Sequence, residues 1–157
     1  MPPYTMISYG DFQIIDLTLF VVANLVNILL VGVFLSRPKG LKRVEHVLGI
    51  FLIVLAVPVV ISVIVNIMGK REWWAIVLPS LLIVFLIVEL ILDYILKLDF
   101  RHTSLLWPYL LLYYVSLWGM IGYTFLIGTF YGGITLGTYF LNLLATWYSY
   151  SRVGHGE

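Results

Sequence analysis

The sequence predicts an all-α protein, a polytopic bundle of five transmembrane helices. Three features predict it: a composition too apolar for water, apolar runs of bilayer-spanning length, and basic residues gathered in alternate loops. Of the 157 residues, 62% are apolar without counting glycine, and 11% are charged. Soluble domains hold about 45–50% apolar residues with glycine included, and about 25% charged ones. A sphere of this size cannot hide so much apolar surface, so the solvent must be lipid. This excludes a soluble enzyme and a disordered chain, and a net charge of +1 leaves no polybasic surface for nucleic acid. With no cysteine there is no disulfide, thiolate metal site or cysteine nucleophile.

Residues 1–15 contain no Lys or Arg and no regular apolar period, and are expected to be an extracytoplasmic, interfacial lead-in. No removable signal peptide is expected, because the first apolar run is a full span long. Crossing about 30 Å of hydrocarbon at 1.5 Å per residue takes about 20 residues. Spans are therefore expected at about 16–36, 46–68 and 73–97. The stretch from Ser104 to Ser151 carries no Asp, Glu, Lys or Arg and is about twice the length of one span. Its natural break is GTFYGG, Gly128–Gly133, where glycines offer the positive φ of a tight turn. The last two spans are then 104–127 and 131–151, a close hairpin, followed by a short tail, 152–157. Seven of the nine basic residues fall in the first loop, the third loop and the tail, and two in the second loop. Basic loops stay inside, so the N-terminus is expected outside and the C-terminus in the cytoplasm. Trp73, Trp74, Trp147, Tyr148 and Tyr150 fall at the expected interfaces. No internal repeat divides the chain into inverted halves.

An ionisable group inside a span costs at least about 2.5–3.5 kcal/mol near the bilayer centre, so each calls for a reason. In VELILDYILK, Glu89 and Asp93 are four residues apart on one helical face, and Lys97 continues the row. Asp93 is expected to pair with a snorkelling Lys97. Two carboxylates a turn apart in low dielectric do not both ionise without a cation between them. Glu89, the deeper one, is expected to be neutral when empty and to answer to a proton or a cationic ligand. Asp16, Asn24 and Asn27 share a flank of the first span. Pro58, Ser62 and Asn66 recur at four-residue intervals on the second, where Pro58 should kink the helix. Asn142 lies midway along the fifth. Most such groups are interhelical hydrogen-bond glue; the functional expectation is that Glu89, Asn24, Asn27 and Asn66 converge on one polar pocket. The last two spans are rich in aromatics, and Tyr113, Trp118 and Tyr139 are candidates for lining it by cation–π or stacking contact. Ser116, Gly119 and Gly122, and Gly133 with Gly137, have the spacing that lets helices approach closely.

No HExxH, GxSxG, Walker or selectivity-filter motif is present. The three histidines lack metal-ligand spacing, so no metal and no cofactor are expected. Asp99, Arg101 and His102, with Glu45 and His46, would be a solvated loop or an interfacial acid–base set. The leading expectation is a membrane protein that binds or transports a small cationic or amphipathic ligand. Glu89 and Asp93 would carry charge, and the asparagines and deep aromatics would line the site. A lipid-modifying enzyme using an acid–base pair is the first alternative, and a structural subunit of a membrane complex the second. The expected partners are membrane lipids, a small molecule, and a second copy or other membrane subunit, with no nucleic acid.

Overall fold

The computed structural model describes residues 9–153, with side chains from residue 12 onward. It is all-α. Helices α1 (Tyr9–Ser36), α2 (Lys42–Val54) and α3 (Ala56–Met68) come first, and α2 and α3 form one interrupted rod. Helix α4 (Trp73–Glu89) runs on into a π-helical turn, Leu90–Ile95, and a short 3-10 turn, Phe100–His102, leads to α5 (Leu106–Ile127) and α6 (Thr129–Val153). Four of the five rods are long and apolar enough to cross a membrane. Helix α6 matches them in length, and its glycines, threonines and tyrosines dilute its apolarity. Its outer face still exposes Phe130, Phe140, Leu141, Leu144 and Trp147. Every rod does likewise, with Leu25, Phe51, Ile61, Val84 and Leu111 pointing outward. Apolar patches so continuous belong against lipid, and the chain is a membrane helical bundle.

The rods close into a ring. Helix α1 packs on α6 and on α2 and α3, α3 packs on α4, α4 on α5, and α5 on α6; α1 and α5 also touch across the centre. Leu19, Val26, Val59, Leu82, Phe85 and Met120 fill the interior between them. Gly119 and Gly122 face Leu78 and Leu81 of α4, which is the close approach their spacing predicts. Gly133 and Gly137 meet nothing in the described chain, so that pair serves no contact within it.

Several boundaries differ from expectation for local reasons. Helix α1 starts at Tyr9, so residues 9–15 of the expected lead-in are helical: nothing after Gly10 in that stretch breaks a helix. Residues 1–8 and 154–157, with His155, lie outside the described residues. The kink expected from Pro58 appears as the interruption at Leu55, between α2 and α3. Proline has no N–H for the carbonyl four residues back, and Ser62 Oγ donates to the Pro58 carbonyl at 2.7 Å. The hairpin turn is narrower than Gly128–Gly133, because Gly128 alone separates α5 from α6 and is extended at φ 167°. None of its glycines needs a positive φ. Gly132 contributes space instead, since a Cβ there would run into the Phe125 ring.

One end of the ring is sealed by a polar cluster. Arg71, in the turn after α3, donates to Asp16 Oδ1 at 2.6 Å and Oδ2 at 3.3 Å, and to Asn66 Oδ1 at 3.3 Å. Tyr123 of α5 donates to Asp16 Oδ1 at 2.5 Å, and Asn66 Nδ2 donates to the Ala75 carbonyl at 2.8 Å. The guanidinium also lies over the rings of Phe12 and Trp74, at 4.9 and 5.4 Å. Burial acts to lower the Arg71 pKa, but the hydrogen bond and charge of Asp16 outweigh it and the net direction is upward. Arg71→Gln should leave a half-buried Asp16 without its cation and cost about 2 kcal/mol. Thermal unfolding in mild detergent reads this as a lowered midpoint, with Lys39→Gln, on the exposed first loop, unchanged; equal midpoints for both variants would show that the cluster does not hold this end.

Candidate functional site

At the opposite end the rods splay around a cavity of about 600 Å³. Its walls come from the end of α1, the start of α2, the π turn, the start of α5 and the end of α6. The π turn explains how two acids reach it. Leu96 N–H donates to the Ile91 carbonyl five residues back, at 2.8 Å. This wider turn shifts the register that a continuous α-helix would keep, and π turns recur where a helix must re-aim side chains. Glu89, Asp93 and Tyr94 all line the cavity as a result. Lys97 is turned off the row: it is exposed, with φ 50°, where the helix ends.

Asp93 therefore pairs with Arg101, not with Lys97 as expected. Arg101 is bidentate, its Nη1 and Nη2 donating to the two carboxylate oxygens at 3.0 and 2.7 Å. Such a fork is a strong, geometrically fixed pair. The Arg101 guanidinium also covers the Phe100 ring at 4.7 Å. Burial alone would lower the Arg101 pKa; the hydrogen bonds and charge of Asp93 dominate, and the group is held firmly cationic.

Glu89 is half-buried on the cavity wall. Tyr109 of α5 donates a hydrogen bond to its Oε2. Among the described residues it has no ion-pair partner. Tyr109 is itself wedged between Phe85 and Phe100, with ring centroids at 5.8 and 4.7 Å. Tyr113, one turn further along α5, exchanges hydrogen bonds with Asn142 and packs on Phe85 at 5.5 Å. Across the cavity Tyr94 bridges to α2: its hydroxyl donates to the His46 carbonyl at 3.1 Å and its ring lies 5.1 Å from the His46 ring. Gly49 makes this bridge feasible, because a Cβ there would occupy the position of the Tyr94 hydroxyl. At the mouth, Arg37 Nε donates to Glu45 Oε1 at 2.7 Å, and Arg37 rests on the Phe34 ring at 4.9 Å. The inner wall is apolar, with Leu30, Val33, Leu52 and Leu110.

Of the predicted site residues, Glu89, Asp93 and Tyr113 come together here. The expected convergence with three asparagines does not form. Asn24 and Asn27 hold α1 to α6 through Thr135 and Thr138, at 2.8–3.2 Å, and Asn66 belongs to the sealed end with Arg71. Each lies where its own helix meets a neighbour, which is the glue role lipid favours. Trp118 is 57% exposed on the outer side of α5, and its Nε1 donates to Tyr139 at 2.8 Å. Neither residue lines the cavity. The inward face of α5 is taken by Tyr113, Ser116, Leu117, Met120 and Tyr123, so Trp118 must face lipid.

Tyr109 and Tyr94 were not among the candidates, and the mouth residues Arg37 and Lys42 were counted only as loop charge. A signal existed for Tyr109: Tyr109, Tyr113, Ser116 and Tyr123 lie at helical spacing on one face, as hydroxyls kept inward would. Nothing in sequence could have paired Arg101 with Asp93. Glu45 and His46 join Arg101 in the cavity, whereas Asp99 and His102 face each other at 3.8 Å on the outside. Among the described residues no group of three acids or histidines is gathered as a metal ion would need. No protein-family model, no curated protein and no solved structure matches the chain. Gly49→Ala should lower the unfolding midpoint by the equivalent of about 1–3 kcal/mol, the usual cost of an overpacked contact. Tyr94→Phe in the same chain should recover most of that loss by removing the oxygen that collides; an absence of rescue would mean the Gly49–Tyr94 contact is not what the methyl disturbs.

Proposed function

We propose that this membrane protein binds, and carries across the bilayer, a small molecule with a cationic group and an apolar body, taken into the cavity at the Glu89 end. The observation that carries the reading is that Glu89 lines a cavity of about 600 Å³ and has no ion-pair partner among the described residues. A carboxylate in low dielectric is costly without a counter-charge. An entering ammonium group supplies it. Leu30, Val33, Leu52 and Leu110 receive the apolar part. Proton binding at Glu89 competes with the ligand, so binding is coupled to pH. In this reading the cavity end faces the cytoplasm, which the basic residues around its mouth favour, and the Asp16–Arg71 seal faces outside, with the N-terminus outside and the C-terminus inside.

A second reading has one observation in its favour. Glu89, Asp93, His46 and Glu45 share the cavity, which is the material of an acid–base site acting on a lipid at the interface. Formation of product from added lipid by the purified protein would support it.

The binding reading is tested with hexylamine as the cationic probe and hexanol as its uncharged match, by titration calorimetry on the full chain in lipid nanodiscs. Hexylamine should bind and hexanol should not. Glu89→Gln should weaken hexylamine at least tenfold, about 1.4 kcal/mol, and flatten its pH dependence. A Glu89→Gln protein that binds hexylamine as tightly as the parent, with the same pH profile, would overturn the assignment.

A further inference from the structure

The cavity wall carries six charged side chains, and most of that charge is already matched internally. Arg101 is closed on Asp93 by two hydrogen bonds, and Arg37 Nε is held by Glu45. Two groups stay without an ion pair among the described residues: Glu89 inside the cavity and Lys42 at its mouth. Their signs are opposite. Their depths also differ. Lys42 is the exposed first residue of α2, whereas Glu89 is half-buried, ahead of the π turn.

The mouth offers more than one positive charge. The Arg37 side chain is only 11% exposed and is fixed by Glu45 and by the Phe34 ring beneath it. Its terminal Nη1 and Nη2 make no hydrogen bond to any described residue. A guanidinium held in one orientation with free N–H groups is a preset receptor for carboxylate or phosphate oxygens. Gly40, Leu41 and Lys42 are on the same wall, and Leu41 places no side-chain cap on the first turn of α2.

We infer that the ligand is a zwitterion, its amine inward at Glu89 and its anionic group at the mouth between Arg37 and Lys42. The inference rests on the proposed binding of a cation at Glu89 and adds the second charge. One molecule then compensates both unmatched groups, which neither a simple amine nor a simple anion can do. The chemical class is an aminoalkyl phosphate or amino-carboxylate, its methylene chain between the two charges being the apolar part set against the inner wall. A phospholipid headgroup offers the same pair of charges, but in the wrong order. In a leaflet the amine is outermost and the phosphate lies below it, whereas this cavity sets the acid deep and the cations at the surface. The free, water-borne zwitterion is therefore the occupant.

The test uses the full chain in nanodiscs, with 2-aminoethyl phosphate, ethanolamine and inorganic phosphate as probes in equilibrium dialysis. 2-Aminoethyl phosphate should bind at least tenfold more tightly than either of the others. Lys42→Gln, at an exposed helix start where folding is not at stake, should weaken 2-aminoethyl phosphate at least threefold and leave ethanolamine unchanged, Arg37 keeping the rest of the phosphate's advantage, and Glu89→Gln should abolish binding of both amines. Nanodiscs containing phosphatidylethanolamine should bind 2-aminoethyl phosphate as well as those without it. Competition by that lipid would overturn the assignment to a soluble ligand. If the two amines bind equally, or Lys42→Gln keeps the full advantage of the phosphate, the zwitterion between Arg37 and Lys42 is refuted while cation binding at Glu89 stands. Failure of every amine probe to bind refutes both.

Discussion

A charged or hydrogen-bonding side chain in a lipid-solvated bundle finds its partner inside the chain or remains costly, and this constraint organises the whole molecule. The outer surface is given over to large apolar side chains, so polar groups face inward. There they collect at two levels. At one end Asp16, Arg71, Asn66 and Tyr123 bond to one another and draw α1, α3 and α5 together. At the other, the acids of α4 and its π turn meet Tyr109 and Arg101, and one carboxylate is left facing open space.

The two ends share a plan with different outcomes. Each has an acid bonded by a tyrosine of α5, and each has an arginine from an adjoining turn. Where the arginine reaches the same acid as the tyrosine, as at Asp16, the end is closed. Where it is drawn to a neighbouring acid, as Arg101 is to Asp93, the tyrosine-bonded Glu89 has no ion pair of its own among the described residues. Between them lies a dry core of Leu82, Phe85, Leu117 and Met120. A charged cavity thus lies on one side and a polar seal on the other, and α5 is the element common to both ends.

The legible part of this protein was the part that lipid dictates. Apolar run length marked where helices would lie, because a helix must keep its backbone bonded across the hydrocarbon, though α1 takes in seven residues ahead of its expected span. It also marked Glu89 and Asp93, since acids in such runs stand out against their neighbours. The asparagines were legible as polar but not as to place. Asn24 and Asn27 share a helical flank, yet only the position of α6 beside α1 sends them to Thr135 and Thr138. Trp118 misled because depth along a helix says nothing of direction around it.

The amino-acid sequence by itself determined an all-helical membrane chain with acidic groups within its third apolar run, since hydropathy and span length follow from composition along the chain. Only the tertiary structure decided which acid is neutralised. The register shift of the π turn moves Lys97 out of line, and the fold of the loop beyond it brings Arg101 back to Asp93. A pairing of that kind depends on where two backbones end in space, and no local periodicity encodes it.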